Sequence, residues 1–129
     1  MRTILRVVIG LVGLFNLAIG LGFLLAPERL AAAFFIMPSG SQGMATIRAD
    51  FPGFFITGAV FALYGAWKVR GWPLLVPMLL LGLALFGRVV SILLDGMAST
   101  AVQPMIVEVI MLALLYLGWR NFARAGMPQ

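Results

Sequence analysis

The sequence predicts an all-α membrane protein, four transmembrane helices in an antiparallel bundle, and three observations carry that prediction. Of the 129 residues, 63% are hydrophobic and only 10% are charged, whereas a soluble domain carries about 25% charged residues. The apolar residues are gathered into four runs, at about 4–26, 51–67, 73–94 and 104–119, each close to the ~20 residues needed to cross a ~30 Å hydrocarbon layer. The basic residues stand singly near the ends of those runs rather than in a patch. The net charge of +5 therefore reads as membrane orientation and not as a nucleic-acid surface.

The first run, "ILRVVIGLVGLFNLAIGLGFLLA", follows Met1 and Arg2. Its apolar stretch exceeds the 7–15 residues of a signal-peptide core and no A-x-A site follows, so it is read as a retained span. Gly13 and Gly20 flank Asn16 on one of its faces. Small residues of this kind let helix backbones approach in lipid, and a lone amide acts as interhelical glue.

Residues 27–50, "PERLAAAFFIMPSGSQGMATIRAD", form the long connection. Pro27-Glu28-Arg29 is a helix start, and the segment about 28–37 is expected to form a short helix in the interface. "PSGSQG" breaks it. Asp50 stands where an N-cap of the second span would, with Pro52 in the first turn. The alternative is a helix beginning near Gly43 that Pro52 kinks. Gly58, Ala62 and Gly65 then recur at helical spacing, as close packing requires.

Trp72-Pro73 opens the third span, and Pro77 lies near its start. The joint "GMASTAVQ" between the third and fourth spans is short, so these two are antiparallel neighbours. Tyr64, Trp67, Trp72, Tyr116 and Trp119 fall at one end of the bundle and read as an interfacial aromatic belt. The methionines are read as flexible packing, without the spacing of a copper site.

The whole chain is one domain. Six basic residues (Arg2, Arg6, Lys68, Arg70, Arg120, Arg124) flank the ends that hold the termini, against Arg29 and Arg48 on the opposite side. That bias places both termini in the cytoplasm.

Five charges and one amide are candidates for more than anchoring. Counting 1.5 Å per residue, Arg88 lies about 10 Å below Asp95, and Glu108 about 6 Å below Pro104, so the two reach similar depths. An arginine inside a membrane costs several kcal/mol unless it is paired or reaches water. Arg88 with Glu108 is the economical pairing. Arg88, Ser91 and Asp95 share one face of the third helix, and Arg48 and Asp50 arrive at the mouth of the second. Arg48, Asp50, Arg88, Asp95 and Glu108 are thus expected to form a charged outer vestibule with Asn16 as its floor. A network that merely fixes helix register is the competing reading of the same residues.

With neither cysteine nor histidine, the chain has no thiolate, imidazole base, Cys/His metal site or His/Cys haem ligand. No phosphate loop or dinucleotide fingerprint occurs. No cofactor, metal or catalytic residue is expected, and the reading leans away from an enzyme.

The stretches "IRADFPGFFITGAVFALYGAW", "GRVVSILLDG" and "VEVIMLALLYLGW" resemble an uncharacterised bacterial family of small four-helix membrane proteins, catalogued as a domain of unknown function. The likeness spans about residues 5–119 and includes Arg48, Asp50, Phe51, Arg88, Asp95, Gly96 and Glu108. It implies a shared architecture, the same polar positions and a bacterial inner membrane, and supplies no reaction. The expected partners are the bilayer, a small amphiphile, lipid headgroup or anionic metabolite, and a membrane-protein partner or a second copy of the chain. Binding is the first functional expectation and a subunit role in a larger complex the second. A small proton-coupled transporter fits less well, because the first span carries Asn16 where such proteins use a carboxylate.

Overall fold

The architecture is described from a computed structural model, in which residues 1–125 are defined. Five α-helices follow in order among the described residues: α1 (Arg2–Leu25), α2 (Pro27–Ala33), α3 (Gly40–Lys68), α4 (Leu75–Asp95) and α5 (Val102–Ala125). Single 3-10 turns, Trp72–Leu74 and Ser99–Ala101, lead into α4 and α5. With those turns included, the four long helices are long and apolar enough to cross a membrane. The protein is an all-α membrane protein. Helix α1 packs against α3 and α5, and α4 packs against the other side of both, which closes a four-helix ring.

The largest difference from the sequence reading is in α3. It starts at Gly40 rather than near residue 51, and Asp50 lies well inside it instead of capping it. Residues 40–50 are polar outside one strip, and that strip is what holds them: Ile47 is buried against Phe23 and Ala31. A helix outside the hydrocarbon need be apolar only where it packs. Pro52 consequently sits in the helix interior, buried, where its missing N–H leaves the Arg48 carbonyl without its usual helical donor. The α2 helix stops at Ala33, and Phe35 follows in the left-handed region at φ 59°.

Close contacts between helices are made at glycines. A Cβ on Gly13 would meet Leu63 at 2.7 Å, and one on Gly20 would meet Ile56 at 2.6 Å, which locks α1 onto α3. Gly118 of α5 lies against Ile9, and Gly65 of α3 against Leu74. Gly71 is wedged on the α5 backbone, where a Cβ would come within 2.9 Å of the Trp119 carbonyl oxygen. The glycine faces read from the sequence are therefore consumed inside the bundle.

The core is unevenly distributed along the axis. Leu5, Ile9, Val12, Ala62, Ala66, Leu74, Leu81, Met111, Leu115 and Phe122 form one cluster drawn from all four long helices. Toward the opposite end, Phe23, Ala31 and Ile47 form a second with Phe34, Phe51 and Phe55 around them. The Phe23 ring stands 4.7 Å from Phe51 and 5.1 Å from Phe34, centroid to centroid. No residue of α4 or α5 joins that second cluster. Burial in α4 ends at Leu81, and in α5 no residue before Met111 is buried. The bundle is closed over the half that holds Met1 and Ala125 and open over the other.

At the closed end, Arg6 of α1 donates to the carbonyl oxygens of Ala66 (3.1 Å) and Trp67 (3.4 Å) in the last turn of α3. A cation there meets the partial negative charge of the helix end and satisfies carbonyls that have no helical donor. An Arg6→Gln variant is expected to lose about 1 kcal/mol of stability, while Arg2→Gln, which makes no such contact, loses nothing measurable. Reversible unfolding in mixed micelles compares the two.

Candidate functional site

Arg88 and Glu108 face each other across α4 and α5. The guanidinium donates from Nε to Oε2 at 2.9 Å and from Nη2 to Oε1 at 3.0 Å, a two-pronged pair that fixes direction as well as distance. The Arg88 side chain is 33% exposed and that of Glu108 14%. The surrounding helix surfaces are apolar: Phe86, Val89, Leu93, Ile106, Val109 and Ile110 are all exposed, as suits side chains facing lipid. In that setting two opposite charges in contact make a neutral unit, whereas either alone is costly.

One turn beyond Arg88, the Ser91 hydroxyl donates to Asp95 Oδ2 at 3.2 Å. Between this strip and the loop leading into α5 lies a groove of about 350 Å³, lined by Ala84, Gly87, Arg88, Ser91, Ile92 and the Gly96–Ala101 loop. Small side chains make it. Gly87 has nothing within 4 Å of where a Cβ would stand, so this face of α4 is unfilled by the bundle itself. The donors it offers are the free N–H bonds of Arg88, set on a mainly apolar lining.

The structure brings four residues of this region together, Arg88 with Glu108 and Ser91 with Asp95. It does not join Arg48 or Asp50 to them: both are exposed, and neither side chain makes a hydrogen bond or ion pair with a described residue. The reason is the early start of α3. Two residues apart on a helix, Arg48 and Asp50 point about 200° from one another, so they cannot both turn toward one vestibule. Asn16 also lies elsewhere, buried in the closed half, where its Nδ2 donates to the Val12 carbonyl oxygen at 2.8 Å and to Met111 Sδ at 3.5 Å. It ties α1 to α5 beside a void of only about 10 Å³, too small for a ligand. The five-charge vestibule floored by an amide is replaced by a groove on α4.

Ala84 and Gly87 are the site residues that the sequence reading missed. Their signal was available: with Ser91 they repeat small residues at three- and four-residue spacing on the face of α4 that carries Arg88. Among the described residues, no group of three or more His, Cys, Asp or Glu side chains is placed to hold a metal ion.

Fold and site together define a small four-span helical membrane protein with an intramembrane arginine–glutamate pair beside an open groove. The chain belongs to the DUF4345 family, a domain of unknown function, which it matches over residues 4–119. No curated protein matches it, and no solved structure does.

Proposed function

We propose that this protein is a non-enzymatic binder of an amphiphile in a bacterial inner membrane, with both termini cytoplasmic and the groove toward the outer side. The observation that carries the reading is the 350 Å³ groove, which sets the free N–H bonds of Arg88 beside apolar walls in the open half of the bundle. The orientation rests on charge. Arg2, Arg6, Lys68, Arg70, Arg120 and Arg124 belong to the closed end, against Arg29 and Arg48 at the open end, a bias of Lys and Arg that retains the closed end on the cytoplasmic side.

The test uses the space at Gly87, because a side chain there meets no neighbour and fills the groove without disturbing the fold. Native mass spectrometry of protein released from its own membranes is expected to show an adduct of defined mass on the wild type, absent from Gly87→Leu. An adduct carried equally by both proteins contradicts the reading.

A subunit role is the second reading, favoured by the open space at Gly87, where another helix can approach closely. It differs in outcome: a second protein chain in the wild-type spectrum, lost from Gly87→Leu, establishes a helix contact in place of an amphiphile.

A further inference from the structure

The charges at the groove restrict what kind of head it accepts, and this inference rests on the groove being an amphiphile site. Arg88 is the one cation there. Its charge is already matched by Glu108, which takes two of the five guanidinium N–H bonds, and three N–H bonds stay free to donate. Asp95 adds a second carboxylate. Its hydrogen bond comes from Ser91, and no basic side chain lies within 4 Å of it among the described residues. One guanidinium against two carboxylates leaves the site negative overall. A head with net negative charge meets donors at Arg88 but repulsion from Glu108 and Asp95, and like-charge contacts of this kind act as rejection.

The geometry points to a zwitterionic phospholipid head, with its phosphate against the free N–H bonds of Arg88 and its ammonium against the Asp95 carboxylate. The Cα atoms of Arg88 and Asp95 are about 10 Å apart along the axis, and Arg88, Ser91 and the Asp95 carboxylate bonded to it share one face of α4. A head whose phosphate and ammonium are separated by two carbons, with a hydrogen bond at each end, is long enough to reach from one to the other. Depth agrees as well. Asp95 is the last residue of α4 and Gly96 turns the chain at φ 85°, so the carboxylate lies where the apolar span ends and headgroups begin. The apolar lining at Ala84, Ile92, Ala98 and Ala101 suits the start of the acyl chains.

The experiment places full-length protein in mixed micelles with equal amounts of phosphatidylethanolamine, phosphatidylglycerol and diacylglycerol, and reads bound lipid by native mass spectrometry. Wild type is expected to select the ethanolamine lipid about tenfold over the glycerol lipid, as a charge-assisted contact provides. Asp95→Asn, an exposed position bonded only within its own helix, is expected to reduce that selection to near parity, and Gly87→Leu to lose both lipids. Unchanged selection in Asp95→Asn overturns the zwitterion assignment. So does preferential phosphatidylglycerol or diacylglycerol binding that Gly87→Leu removes, an outcome in which the groove itself survives as a site. Lipid adducts insensitive to Gly87→Leu overturn both. Free phosphoethanolamine, added as competitor, separates sources: displacement at equimolar concentration marks a soluble zwitterion as the ligand and overturns the phospholipid, and failure to displace supports it.

Discussion

Glu108→Leu is expected to lower stability by about 3 kcal/mol, more than Arg88→Leu at the partner position. The two halves of the pair are unequal once separated. A carboxyl group left alone in lipid can bind a proton and become neutral, but a guanidinium cannot shed one. Removing Glu108 therefore strands a charge that must drag water inward or snorkel past apolar neighbours, while removing Arg88 leaves a group with an escape. The double variant Arg88→Leu/Glu108→Leu takes both charges out together and is expected to recover most of the loss, because two well-packed apolar side chains replace a pair that was costly to desolvate. A double-mutant cycle in detergent unfolding measures this. Additive costs, or a larger loss from Arg88→Leu, contradict the account.

The second large effect is expected at the closed end. Gly118→Val places two methyl groups onto Ile9 and Leu74, and overpacking of this kind costs about 1–3 kcal/mol. Ile9→Ala on the facing helix opens the space again, so the pair Gly118→Val/Ile9→Ala is expected to be more stable than Gly118→Val alone. Gly71→Ala has no such remedy. Its new methyl meets the Trp119 carbonyl oxygen and the Ala123 amide nitrogen, which are main chain and cannot be trimmed. Melting temperatures of the four proteins in one detergent, with no rescue at Gly118, remove the argument.

The spans and their order were legible because hydrocarbon thickness imposes the same length on every crossing. The Arg88 and Glu108 pairing was legible for a related reason: counting along two antiparallel helices joined by a short loop gives the depth of each side chain. The start of α3 was legible only as the alternative, a helix beginning near Gly43 that runs on through Pro52. Asp50 and Pro52 together imitate a helix start, and nothing in residues 40–50 considered alone distinguishes a loop from a helix held by one buried residue. What holds it, Ile47 on the Phe23 and Ala31 cluster, is a contact between distant segments. Misplacing that one boundary also misplaced Arg48 and Asp50, since residues in an extended mouth can converge where residues on a helix diverge. The groove was hidden differently. Gly87 and Ala84 look like any other small residues in a span, and only the arrangement of the other helices tells which small faces are occupied.

The ion pair has a consequence for how the chain enters the membrane. Arg88 and Glu108 lie on consecutive helices joined by a brief turn, so their contact requires neither α1 nor α3. A hairpin of α4 and α5 can neutralise its own charges while it leaves the translocation machinery, and it partitions into lipid as one unit where an isolated α4 carries the full burden of a guanidinium. Order of synthesis then matters: α4 is expected to commit to lipid only once Glu108 has emerged. A ribosome paused between Asp95 and Glu108 leaves an arginine helix with no partner, and the spacing of only 13 residues between those positions keeps that wait short.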